Sequence, residues 1–442
     1  MKKIIYLIFL AFLINNCSFD NKTGIWTGSK NILKKKDTSD QNIELIFKKE
    51  NEILKDKNLT LNQNIKLGRL ITFKNWTQSY QNKFNNIGNV LFFNEGNYKK
   101  LSKISNSKIN KSILVNNNNL FFSDFNGNIG VFSLTDNKVI YKFNFYKKKF
   151  KKTKKIIKLI INKGSIVAAD NLGYVYSINF KKNKLNWAKN YLVPFRSNLK
   201  IIDEILYLSD EKNKIILIDI KNGGKIDEFY TQPPEAVSKF ESNFAIDNYN
   251  NLLFLSTNGT LYSLNLRNQK SINWIQNFKS ESEIIFRGRP LTIYNDKIIV
   301  SSDKNISMLG ENGKKIWDLN IKSNISPIIS GNSVITVNED NYLLVIDKET
   351  GIVVFSKNLH SLIENEFKKN FQKKIRIIEH IHLVNNKLLL ISNNSYFIEI
   401  DLKSNLKVSS IKKNPFDISS NIIFLDNEMI FVNDSKKVYR VN

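Results

Sequence analysis

From about Asn119 to the C-terminus, apolar and polar positions follow one recurring pattern. A short apolar run leads into a polar turn. An alternating run ending in Asn or Asp follows, then a Lys/Gly turn and an aromatic residue. The clearest copies start at Leu120, Ile166 and Leu252, and weaker copies start near Ile205, Ile298, Val334, Leu388 and Met429. That makes eight starts, roughly 36 to 54 residues apart. Alternation at period two, with Tyr, Ile, Val and Phe on one face, predicts strands. Asn126-Gly127, Asn222-Gly223 and Asn258-Gly259 supply residues suited to tight hairpin turns.

Four strands per roughly 44 residues is the arithmetic of a propeller blade. The expected fold is therefore all-β: an eight-bladed propeller of four-stranded antiparallel blades. A lone sheet of this kind has two apolar faces and buries neither, whereas radial stacking lets each blade cover its neighbours. The last copy stops at Asn442 after its third strand, so an N-terminal strand must close the final blade. The stretch Ile65 to Trp76 is the nominated closing strand. A short helix is expected within Ser361–Ile377, where Leu362, Ile363, Phe367 and Phe371 fit helical spacing.

The first residues change the picture. Lys2 and Lys3 precede an unbroken apolar stretch from Ile4 to Ile14, too short to span a bilayer and therefore read as a secretory signal over residues 1–16. The lone Cys of the chain, Cys17, follows at once. Residues 17–60 are polar and rich in Lys and Asn, and read as a flexible tether ahead of a propeller over 61–442. Export removes nucleic acid from the list of partners. It also lowers the formal net charge of +27 by two, so the basic balance bears on solubility and anionic surfaces. The joint excess of Lys, Asn and Ile has the codon signature of an AT-rich genome. A single Cys excludes a disulfide framework and Cys-based metal sites within one chain.

Two resemblances follow. An apolar run ending directly at Cys17 resembles a bacterial lipoprotein signal, although Asn16 stands where that pattern wants a small residue. The resemblance implies a lipid on Cys17 and, with Ser18 next, sorting to the outer membrane facing the periplasm. The repeat, seen as Gly173-Tyr-Val-Tyr-Ser-Ile-Asn through Trp187 and again from Gly259 through Trp274, resembles the quinoprotein (PQQ-type) propeller repeat. Together with the signal, eight repeats and little else, the chain is similar to the BamB family, the propeller lipoproteins of the outer-membrane β-barrel assembly machinery. That resemblance implies a non-catalytic scaffold with no cofactor, bound to the POTRA domains of BamA and handling unfolded outer-membrane proteins.

Family members dock through loops on one rim, often near an Arg. This sequence offers Pro194-Phe195-Arg196 and Phe286-Arg287-Gly288-Arg289, each setting an aromatic beside Arg, a pairing enriched at interface hot spots. At the position matching the family's main Arg it reads Glu235-Ala236-Val237-Ser238-Lys239 instead. Other constellations read as structure. His380 and His382 share one strand face but lack a third metal ligand. Asp219, Asp347 and Asp401 recur with Asn179 and Asn265 at one repeat position, as turn caps do. The run Lys147 to Lys155 is either a solvated loop or an attraction for anionic lipid. Two alternatives to the scaffold share these features: a PQQ-dependent dehydrogenase-like propeller, and a periplasmic carbohydrate- or peptidoglycan-binding propeller.

Overall fold

A computed structural model describes residues 18–19, 26–27 and, from 55 onward, all but 61–64, 93–96, 147–149, 237, 267–270, 281–282, 368–373, 404–405 and 427. The signal and Cys17 lie outside the described residues. Contacts divide the chain into Met1–Lys55 and Asp56–Asn442. In the first unit Ser18–Phe19 pairs with Trp26–Thr27.

The second unit is a ring of eight antiparallel sheets. Blade 1 is built from Leu114–Asn116, Asn119–Ser123, Asn128–Ser133 and Lys138–Asn144. Blade 2 follows with Ile157–Asn162, Ser165–Asp170, Tyr174–Asn179 and Lys184–Asn190. The inner strands of blades 3 to 8 are Lys200–Ile202, Asn243–Ile246, Thr292–Tyr294, Ile328–Ser330, Ile378–Val384 and Ile423–Leu425. Inner strands of neighbouring blades touch, as blades 1 and 2, 4 and 5, 5 and 6, and 6 and 7 show. All eight starts read from the sequence fall on the second strand of a blade, for example Ile205–Ser209 in blade 3 and Glu428–Val432 in blade 8. Second and third strands are buried almost throughout, while outer strands such as Lys138–Asn144 are mostly exposed. The core is a set of apolar layers between blades. One layer joins blades 8, 1 and 2 through Val432, Phe121 and Tyr176.

The Trp positions explain how each repeat grips the next. Trp187, Trp274 and Trp317 sit on outer strands and donate from Nε1 to the carbonyls of Ile220, Glu311 and Lys348, each in the following blade. Their rings lie on Gly223, Gly313 and Gly351, whose φ values are 71°, 77° and 73°. A Cβ at Gly313 would sit 2.4 Å from the Trp274 ring. Only Gly meets both demands, the left-handed backbone and the close approach. The recurring acid at the end of the third strand is a turn cap: Asp219 and Asp401 accept the amides of Lys221 and Lys403.

Two expectations are corrected. An N-terminal strand does close blade 8, but it is Tyr98–Lys103, paired with Lys437–Val441. Ile65 to Trp76 goes elsewhere. The helix is Leu359–Glu366, starting two residues earlier than the expected segment because Asn358 caps it by accepting the His360 amide. The segment read as tether also reaches the ring, since Lys57 pairs through its backbone with Ser356 on the outer strand of blade 6.

Candidate functional site

The inner strand of every blade presents one free edge to the central channel. Unpaired backbone groups there are costly away from water. Residues 65–92 run around the channel and partner some of them. The Lys66 carbonyl accepts from Asn332 in blade 6, and that of Phe73 from Asp426 in blade 8. Trp76 exchanges backbone bonds with Val115 in blade 1, and Thr77 accepts from Ile161 in blade 2. Lys83 and Phe84 accept from Ile246 and Ile293 in blades 4 and 5. Asn86 Nδ2 donates to the carbonyls of Ile293 and Ile329, bridging blades 5 and 6. Finally Asn89–Val90 lies parallel between Leu70–Ile71 and the inner strand of blade 7, and Phe92 meets Phe424 of blade 8. The contacts on blades 6, 8, 1, 2, 4 and 7 fall on the turn between inner and second strands or beside it, so the segment fills that mouth of the channel.

Blade 3 meets this segment through a buried cation. Lys200 is fully buried and donates to Gln78 Oε1, the Asn82 carbonyl and Asn85 Oδ1 at 3.1, 2.8 and 2.8 Å. Burial lowers its pKa to about 7. Beside this segment lies a cavity of about 120 Å³ lined by Tyr80, Asn86, Ile87, Pro290 and His382. That is well below the roughly 300 Å³ at which drug-sized ligand pockets begin. His380 and His382 stack with parallel rings, and burial lowers their pKa values to about 4 and about 3, so both are neutral at pH 7. Among the described residues no three His, Cys, Asp or Glu side chains come together as metal ligands would.

The larger space is on the opposite rim, where outer strands cross to the next blade. A groove of about 710 Å³ is walled by Tyr80, Phe240, Ile285 and Pro290 and edged by Lys239, Glu241, Arg287 and Arg289. Three inter-blade connections meet there through Ser238. Arg196 Nη2 donates to the Ser238 carbonyl at 2.7 Å, and Ser238 Oγ donates to the Phe286 carbonyl at 2.8 Å. Both candidate loops therefore share one rim.

Their aromatic residues do not face outward. Phe195 and Phe286 are 3% and 1% exposed. Phe195 packs edge-on against Tyr191, and Phe286 against Phe240 and over Gly259. The reason is alternation: in Phe286-Arg287 consecutive side chains point to opposite sides, and the core takes the Phe. Arg287 is exposed and reaches Asp303 at 3.5 Å. Arg289 is half-buried, donating to the Gly288 carbonyl and Asn324 Oδ1, with Nε unpartnered. Pro194 is half-buried. Sequence reasoning missed Ile284 and Ile285, which are 76% and 38% exposed beside the groove. Two adjacent apolar residues in a polar connection were the available signal.

The comparisons bear on fold and family. No curated protein matches the sequence. Among solved structures, BamB from Moraxella catarrhalis superposes with a TM-score of 0.59 at 12% identity, covering 77% of this chain and 99% of that one. A computationally designed protein, Ika8, gives 0.54 at 12% identity over 77% and 98%. Quinohemoprotein alcohol dehydrogenase from Comamonas testosteroni gives 0.61 at 7% identity over 84% and 81%. At such identities the likeness is one of fold. The sequence model of the outer membrane protein assembly factor BamB matches residues 126–358, more than half of the chain. With the Trp-on-Gly repeat and the eight-bladed ring, that match places the chain in the BamB family of outer membrane protein assembly factors.

Proposed function

We propose that this chain is a non-catalytic scaffold of the outer-membrane β-barrel assembly machinery, held at the periplasmic face of the outer membrane by lipid on Cys17. Its partner is a POTRA domain of a BamA-type protein, docked in the rim groove between the connections that carry Arg196, Lys239 and Arg287. The supporting observation is the rim groove of about 710 Å³, with apolar walls and Arg287 and Arg289 at its edge. Apolar walls with Arg at the edge match the composition of protein interfaces.

Binding of the propeller to the POTRA domains of its own cell tests this. Because Phe286 is a core residue, the informative variant is Ile285→Ala with Arg287→Ala. Loss of a hot spot of about 2 kcal/mol weakens binding roughly thirtyfold. Absence of binding by the unmodified protein overturns the scaffold reading, and unchanged affinity in the variant removes the groove from the interface. In the same cells, Cys17→Ala is expected to move the protein from membranes to the soluble periplasm. If that variant still fractionates with membranes, the anchor is not Cys17.

A further inference from the structure

Two consecutive connections on the same rim carry side chains that the fold leaves unexplained. Phe150, between blades 1 and 2, is 47% exposed, and Leu192, between blades 2 and 3, is 85% exposed. Both have positive φ, 53° and 63°. In that region a Cβ is crowded, and this chain usually places Asn there, as at Asn117, Asn137, Asn183 and Asn341. Leu406 shares the conformation but is fully buried, so packing compensates its strain. Leu192 has no such burial, and Phe150 leaves about half of its ring exposed beside the edge of Tyr146. Strain held at an exposed apolar side chain points to a function for that side chain.

Both tips rest on firm bases. Lys155, 1% exposed, donates to the Phe150 carbonyl at 2.5 Å. Buried Tyr146 packs edge-on against Phe150 and donates its hydroxyl to Asp170. Leu192 donates its amide to Asn190 Oδ1 at 2.8 Å, and Tyr191 donates its hydroxyl to the Gly223 carbonyl at 2.9 Å. Lys108, Lys111, Lys151, Lys152 and Lys154 are exposed on these connections and the one before them. The stretches 104–113, 145–158 and 191–199 contain no carboxylate. Asp124 and Asp170, in the turns beneath, are 1% and 0% exposed. Exposed carboxylates border the arc at Glu211, followed by Lys212, and at Asp434, followed two residues on by Lys436.

We propose that this arc of the rim, from Lys108 through Phe150 to Leu192, docks on an anionic lipid bilayer. Phe150 and Leu192 enter at headgroup depth, and the lysines meet lipid phosphates. Two features favour a membrane over a protein partner. The apolar residues stand on separate projecting turns and do not wall a pocket. The cations are Lys, which is depleted at protein interfaces but suits a diffuse anionic surface. The arc adjoins the groove assigned to the protein partner, Leu192 and Arg196 sharing the connection between blades 2 and 3, so separate variants are needed to tell the two proposals apart.

Partitioning of the full chain between buffer and vesicles tests it, using neutral phosphatidylcholine and the same lipid with about 30% phosphatidylglycerol. A lipid anchor holds the chain on both, so the ratio of the two partition coefficients is the readout. The expected ratio is about tenfold or more at low salt, collapsing as salt screens the surface. Lys151→Glu with Lys152→Glu should bring it close to one, and Phe150→Ser with Leu192→Ser should lower binding to anionic vesicles at unchanged thermal midpoint. Equal partitioning of the unmodified chain overturns the proposal, as does a preference that survives both pairs of substitutions. If duplex DNA binds as tightly as anionic vesicles and the Ser pair changes neither, the arc is a general polyanion surface and the membrane assignment fails. Ile285→Ala with Arg287→Ala should leave the ratio unchanged.

Discussion

Lys200 offers a direct test of whether the channel is sealed. Its three contacts are all neutral oxygens, from Gln78, Asn82 and Asn85, and burial alone lowers its pKa from 10.5 to about 7. In the unfolded chain this lysine keeps its proton up to about pH 10.4. Between about pH 7 and pH 10 the unfolded state therefore binds a proton that the folded state releases, and stability rises with pH. The penalty of burying the cation is whole below about pH 7, near 5 kcal/mol, and vanishes above about pH 10.5. Lys200→Met lacks that proton in both states. Other titrating groups are common to the two proteins and cancel in the difference. Parent stability minus variant stability should thus climb by about 0.7 kcal/mol per pH unit at pH 7, where the folded lysine is half-protonated, steepening to about 1.4 above pH 8, or a little over about 2 kcal/mol between about pH 7 and pH 9. Urea unfolding followed by Trp fluorescence at about pH 7, 8 and 9 gives each value. A difference that stays flat would mean that water reaches Lys200 and that residues 78–85 do not close over it.

The remaining predictions concern the ring. Gly313→Val forces Trp274 off its seat and puts a β-branched residue at φ 77°, which should cost about 2–4 kcal/mol in unfolding free energy and red-shift the Trp emission. Gly164→Ala, also at positive φ but with nothing within 4 Å, should cost only about 1 kcal/mol, so equal losses would refute the docking account. Lys99→Cys with Arg440→Cys joins directly paired residues of the closing strand and should form an intramolecular disulfide on mild oxidation. Failure to cross-link under conditions where both thiols react with a small probe would mean that another segment closes blade 8.

How far the sequence revealed this fold depends on what each segment buries. Second strands such as Ile205–Ser209 and Glu428–Val432 are packed on both faces, so their near-continuous apolar runs stood out. The closing strand lies at the outer edge, where both faces meet solvent. Tyr98–Lys103 reads YKKLSK, with Leu101 as its one buried residue, and carries almost no apolar signal. Ile65 to Trp76 looked more like a strand because it is more apolar, but apolarity selects the burial and not the partner. Trp76, 2% exposed, found its burial in the channel. The two aromatics of the candidate loops were read past in the same way. An aromatic beside an Arg marks two side chains on opposite sides of the backbone, and at Phe195 and Phe286 the core claimed the ring.

The Asn excess, read from composition as a codon bias, has a structural use at the centre of the ring. An inner strand edge offers donors and acceptors in alternation, and a segment that crosses eight such edges cannot match each by its backbone alone. An amide side chain carries a donor and an acceptor on one short arm. Asn85 uses both, donating to Asn243 Oδ1 and the Phe244 carbonyl while accepting from Lys200. Asn89 does the same, donating to the Gly68 carbonyl and Asn386 Oδ1 while its own Oδ1 accepts the Asn386 amide. Asn82 accepts from the Phe84 and Asn86 amides, and so holds the turn that carries the chain from blade 3 to blade 4. Asp in these places would add a buried charge with no cation beyond Lys200, and Ser would lack the reach and the second donor. Amides spread along 82–89 allow one segment to seal against successive blades without a repeating pattern of its own, which is why no periodicity announced it.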